Sequence, residues 1–275
     1  MNEELLVLQL DESHGNIIKK REFANYTALK VIDLPRGLEV IEDYAFYRCL
    51  ALEEIHLYAG IKRLGCGAFM GCKKLKKIVI RDVEDDIYFL TEILYDFQYE
   101  VEVEIYYKNG TFVKLTFPEY YEESVENTPA RIIEIVFHGS GYKYRQCIRN
   151  RQMDYEKYDR VFVYAIAQEF TPTCIRIALN RLSTPMNLKP AAKERYVEYL
   201  REQSAEVANL ICREDNLELL GILSEYGYFT EELLREFQDK ASALGRAEMA
   251  GYLLNYGLEH FKPKKKSFDF DDFEF

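Results

Sequence analysis

Ile41-Glu42-Asp43-Tyr44-Ala45-Phe46-Tyr47-Arg48-Cys49 is answered 23 positions later by Leu64-Gly65-Cys66-Gly67-Ala68-Phe69-Met70-Gly71-Cys72. The recurrence spreads outward from this pair. Phe23, Phe46 and Phe69 share one column, Leu29, Leu52 and Leu75 a second, and Ile32, Ile55 and Ile78 a third. Leu34, Leu57 and Ile80 follow, and Ile18, Ile41 and Leu64 complete the period. Apolar residues held in register at such a spacing predict a solenoid, because a unit this short buries its apolar face only against its neighbours. The segments Leu52 to Leu57 and Leu75 to Ile80 read as one short strand per unit.

These units resemble BspA-like leucine-rich repeats over residues 15–80. The two turns quoted above and the L-x-x-I-x-L segments after them carry the likeness, and the unit at 15–34 departs from it with Glu22 for Ala and Tyr26 for Cys. The resemblance implies a curved stack of parallel strands with a protein-binding role. Many such proteins are displayed on bacterial surfaces.

The period fails after Ile80, and the cluster Glu84-Asp85-Asp86 marks a seam. Beyond it Val101, Val103, Ile105 and Tyr107 alternate with Glu100, Glu102, Glu104 and Tyr106, a strand pattern. Asn109-Gly110 is a strong hairpin turn, so Phe112 to Phe117 is expected to return antiparallel. A loop from Pro118 to Arg131 and a third strand at Ile132 to Phe137 complete a small β-domain at 84–150. It is acidic, with 13 Asp and Glu against 6 Lys and Arg.

From Tyr155 the spacing becomes helical. One stripe is Tyr158, Val161, Phe162, Ala165 and Ile166, and the next is Ile175, Ala178, Leu179 and Leu182. Further helices are expected at 195–203, 204–213, 216–226, 230–244 and 246–256. Tyr226-Gly227 and Tyr256-Gly257 read as helix stops. Paired helices at this spacing bear a weaker resemblance to ankyrin-type repeats, without the T-P-L-H-x-A signature. The fold class is therefore α+β and multidomain: repeats at 1–83, the β-domain at 84–150, helical repeats at 151–262 and a tail at 263–275.

The chain of 275 residues has a net charge of −11, which disfavours nucleic acid and anionic membrane as partners. The start, Met1-Asn2-Glu3-Glu4, lacks the basic opening of a secretory signal, and no apolar run is long enough to span a bilayer. A cytoplasmic location and reduced cysteines are expected. Cys49 and Cys72 share a column and lie close enough for a disulfide, but the buried turn of a leucine-rich repeat uses the same position for a polar core residue.

Chemistry is sparse. Nucleotide-binding glycine loops, metalloprotease and nucleophile-elbow motifs are absent, and His14, His56, His138 and His260 lack metal-ligand spacing. No catalytic residue, metal or cofactor is expected. The protein-binding candidates are the outward columns Val31/Glu54/Lys77, Asp33/His56/Val79 and Pro35/Tyr58/Arg81. A second candidate is the tail Phe268-Asp269-Phe270-Asp271-Asp272-Phe273-Glu274-Phe275. With Phe268, Phe270, Phe273 and Phe275 spaced among acids, it is similar to the acidic tips by which bacterial single-stranded-DNA-binding proteins dock partners. Gly139-Ser140-Gly141 with Lys143 and Arg145 could form an anion-binding nest. The leading expectation is a non-enzymatic interaction scaffold that binds another protein. The alternative is an enzyme or small-anion sensor centred on the loops at 117–145.

Overall fold

Each repeat places one strand in a shared parallel sheet. The computed structural model describes residues 6–127 and 132–261. The chain runs β1 (Val7–Gln9), a 3-10 turn (Glu12–His14), β2 (Ile17–Ile18), β3 (Val31–Asp33), β4 (Val40–Ile41), β5 (Glu54–Tyr58), β6 (Arg63–Leu64) and β7 (Lys77–Val83). The long repeat strands join a six-stranded sheet and β2-β4-β6 form a second, three-stranded one, both parallel across the repeats. Ile32, Ile55 and Ile78 stand in one row, as the 23-residue period requires, and Leu8 joins it from 24 positions before Ile32. Period-two alternation then sends Ile55 and Leu57 inward, and both are fully buried.

The turns stack as the strands do. Phe23, Phe46 and Phe69 form a ladder with centroid spacings of 5.4 and 5.2 Å and nearly parallel rings. In each turn two residues adopt left-handed φ: Arg21 and Asn25, Tyr44 and Arg48, Gly67 and Gly71. Only the last pair are glycines. Backbone N–H groups of one turn donate to the next, as Phe23 does to Ala45 and Phe46 to Ala68. Cys49 and Cys72 are free buried thiols donating to the carbonyls of Phe23 and Phe46 at 3.3 Å.

The seam expected at residue 84 does not break the sheet. After α1 (Tyr88–Asp96), β8 (Val101–Tyr107) pairs in parallel with β7, Ile78 against Val103, and β9 (Phe112–Phe117) returns antiparallel from the Asn109-Gly110 turn. The period fails here because a nine-residue helix replaces a tight turn. The expected loop at 118–131 is corrected as well. It carries β10 (Tyr121–Asn127), which pairs with β11 (Ile132–His138) in a two-stranded ribbon of its own. The third strand therefore does not join the β8–β9 hairpin.

Next come α2 (Gly141–Arg145), β12 (Ile148–Arg149), β13 (Gln152–Met153), α3 (Tyr155–Gln168) and α4 (Thr171–Ser183). These belong to the same compact unit as the repeats, Met1–Tyr196, rather than to a separate helical domain starting at 151. The reason is visible at the sheet edge. The Tyr158 hydroxyl donates to the Thr116 carbonyl at 2.5 Å and accepts from its N–H at 3.0 Å, and Thr184 Oγ1 accepts from the Lys114 N–H at 2.9 Å. Two helices thus satisfy the edge of β9, a burden every open sheet carries. Beneath them Arg181, fully buried, holds Asp159 through two bonds of 2.7 and 3.0 Å, and Tyr196 donates to the same carboxylate. Of the stripe read on α3, Tyr158, Val161, Phe162 and Ala165 are buried, whereas Ile166 is exposed.

The second unit, Val197–Phe275, follows within α5 (Pro190–Glu202) and contains α6 (Ser204–Glu214), α7 (Leu217–Glu225), α8 (Glu231–Ala243) and α9 (Ala247–His260). Gly227, with φ +63°, does end α7. Gly257 does not end α9: a Cβ there would stand 2.9 Å from Leu234 of α8, so this glycine permits close helix packing inside a continuing helix. No described helix is long and apolar enough to cross a membrane.

Candidate functional site

The outward rows of the six-stranded sheet gather the predicted columns. β5 presents Glu54, His56 and Tyr58; β7 presents Lys77, Val79 and Arg81; the registers set Glu54 beside Lys77, His56 beside Val79 and Tyr58 beside Arg81. β8 extends the rows with Glu102 beside Lys77 and Glu104 beside Val79. Alternation alone explains why these polar side chains share a face.

The charges on this face are paired laterally. Lys77 reaches Glu104 at 3.1 Å and Glu54 at 3.5 Å, and Lys114 reaches Glu102 at 3.0 Å. Burial works against the Lys77 charge, but the two carboxylates outweigh it and hold the ammonium above its ordinary range. His56 bridges Glu54, 2.7 Å from Nε2, and Arg81, 3.0 Å from Nδ1. Arginine has no acceptor, so in this contact His56 Nδ1 accepts from Arg81. Arg81 also faces Asp33 at 3.6 Å and lies over the Tyr58 ring at 5.9 Å. Val79 is the correction here. Expected as a contact residue, it is buried.

At the carboxyl ends of these strands the face turns aromatic. Tyr58 stands beside Arg81, and Tyr106, exposed, stacks on Phe112 at 4.6 Å. The sequence columns ended at residue 81 and missed Tyr106 and Phe112. The alternation over 101–107 was the available signal, had β8 been placed in the repeat sheet.

A cleft of about 250 Å³ adjoins this end, lined by Arg36, Tyr58, Asp82, Glu84, Asp86 and Lys108 among others. Its acids are all engaged: Asp82 by Arg36, Glu84 by Lys108 and Asp86 by Arg151, each at 2.6 Å. Hydrogen bonds from Lys108 and Arg151 hold Glu84 and Asp86 below the usual carboxylate range, the opposite of what a general acid requires. Among the described residues no cluster of His, Cys, Asp and Glu could hold a metal ion.

The nest at 139–145 is filled from within. Both the N–H and the hydroxyl of Ser140 donate to Glu169 Oε1, at 2.5 and 2.7 Å. Arg145 spends its donors on the carbonyls of Leu94, Phe97, Tyr99, Pro118 and Gly141. Burial lowers its pKa to about 10. A Cβ on Gly139 or Gly141 would collide with the carbonyls of Glu119 and Pro118. Lys143 lies over the Tyr164 ring. In the structure the donors of Ser140 and Arg145, expected to cradle an anion, are engaged by acceptors of the chain itself. Phe268, Phe270, Phe273 and Phe275 lie outside the described residues.

A family model, the BspA type leucine rich repeat region, matches residues 8–120 in 6 copies. No curated protein and no solved structure matches the chain. The match passes the point where the 23-residue period stops and takes in β8 and β9.

Proposed function

We propose that this chain, which carries a BspA-type leucine-rich-repeat segment, is a non-enzymatic interaction scaffold that recognises another protein on the outward face of its parallel sheet. The observation that carries the reading is the strip Tyr58–Arg81 and Tyr106–Phe112 beside a lattice of paired charges. Aromatic and arginine side chains concentrate binding energy at protein interfaces, and laterally paired charges cost less to desolvate than isolated ones. Under this reading the repeats act as a short solenoid, the helical units as its ankyrin-like extension, and the tail at 263–275 as a second docking element. A cytoplasmic location is part of the same proposal.

The test is to recover the protein with its bound partner from its own cell and repeat this with Tyr58→Ala/Tyr106→Ala. The partner should be lost from the double variant while its melting curve stays within a few degrees of the parent. Undiminished recovery of the partner would sink the sheet-face reading.

A further inference from the structure

The ribbon β10–β11 is a second, independent surface. Each of its strands pairs only with the other among the described residues. Its foot is anchored by Phe137, stacked on Tyr142 at 3.6 Å, and the two strands are clasped there by Tyr121 stacked across the ribbon on His138 at 4.4 Å. Beyond that foot Ile133 and Ile135 are 69% and 56% exposed, on the same side of the ribbon as Phe137.

The protein treats its sheet edges unequally. The edge of β9 is covered by Tyr158 and Thr184. β10 carries Glu122, Glu123 and Glu126, the charged residues that guard an edge against pairing. β11, Ile-Ile-Glu-Ile-Val-Phe-His, has one such charge in seven residues and, among the described residues, no strand on its other edge. A bare, β-branched edge is a template for strand addition. Charge then selects the occupant. Glu119, Glu122, Glu123, Glu126 and Glu134 are opposed in residues 119–138 by Arg131 alone. A second copy would bring the same acids against them, whereas a cationic strand would be attracted.

We propose that the free edge of β11 binds an extended, basic segment of a partner protein by strand addition, with alternate apolar side chains on the face of Ile133 and Ile135 and basic ones on the opposite face, toward Glu134 and Glu123.

The experiment uses the full chain and a fluorescent peptide of alternating Lys and Val, as long as β11, read by anisotropy. The peptide should bind, more weakly as salt rises. A Glu-Val peptide should bind at least about tenfold more weakly, as charge complementarity demands. N-methylation of every second residue along one edge leaves the charge intact and removes the ladder donors, so it should also weaken binding about tenfold or more. Ile133→Thr/Ile135→Thr keeps β-branched, exposed side chains and should weaken binding without changing the melting curve. Equal affinity of the N-methylated peptide would reduce the effect to bulk charge attraction and overturn the proposal. So would failure of the Lys-Val peptide to bind. A sedimentation dimer that the Ile133→Thr/Ile135→Thr variant dissolves would replace the partner with a second copy of this chain.

Discussion

Phe46 lies between two other rings, fully buried, and its position was fixed by counting from Phe23 and Phe69. Its truncation leaves a cavity that the ladder on either side resists closing, so Phe46→Ala should cost about 3–5 kcal/mol in urea unfolding. A change below the error of that measurement would mean that the ring is not a core element. Tyr144 predicts the opposite sign. Its hydroxyl is buried with no hydrogen-bond partner among the described residues, and burial pushes its pKa well up. An unpaired buried hydroxyl costs about 1–3 kcal/mol, so Tyr144→Phe should leave stability unchanged or raise it. A clear loss in the same unfolding assay would reveal a partner for the hydroxyl. The two residues differ in legibility. A repeated column announces the role of Phe46, while nothing near Tyr144 in the sequence tells which atoms will surround its oxygen.

Among the elements, α1 shows what closes a repeat stack. The N–H groups of the earlier turns donate to the turn that follows, but the turn at 67–69 has no successor. The Asp96 carboxylate at the end of α1 meets the backbone N–H groups of Gly67, Ala68 and Phe69 instead. Burial raises its pKa and these bonds, the smaller influence, lower it. Because the folded pKa lies above the unfolded one, folding takes up a proton in that window. The carboxylate's contribution is fully present below the ordinary Asp range, and stability is lost as pH rises through the raised value. Asp96→Asn should remove that slope from the plot of unfolding free energy against pH, and a slope identical to the parent's would refute the assignment. At the other edge of the sheet, Arg181 and Asp159 form a buried pair. Removing one member strands the other charge, so Arg181→Met should cost about 3–5 kcal/mol in thermal or urea unfolding. A near-neutral result would show that Asp159 finds another donor.

For the whole molecule, burial sorts the cysteines. Cys66 is exposed, while Cys49, Cys72, Cys147, Cys174 and Cys212 are buried. The neighbouring Cys49 thiol, and burial, push the Cys72 thiol well up, and burial takes Cys147 to about 12. A maleimide pulse should therefore label Cys66 alone in the native state and every cysteine after unfolding; rapid native labelling of Cys49 or Cys72 would contradict the packing of the turns. The sequence by itself determined the repeat register, the inward columns, the β8–β9 hairpin at Asn109-Gly110 and the run of long helices from residue 155 onward. These follow from local periodicity and turn chemistry, which act over a few residues at a time. Tertiary structure decided the rest. β8 enters the repeat sheet because α1 can replace a turn, β9 is sealed by Tyr158 and Thr184 from distant helices, and Gly257 serves helix packing rather than helix ending. The donors at 140 and 145 are consumed by acceptors as remote as Glu169 and Leu94. Such partners are chosen by where the packed elements meet, and no interval along the chain encodes that meeting.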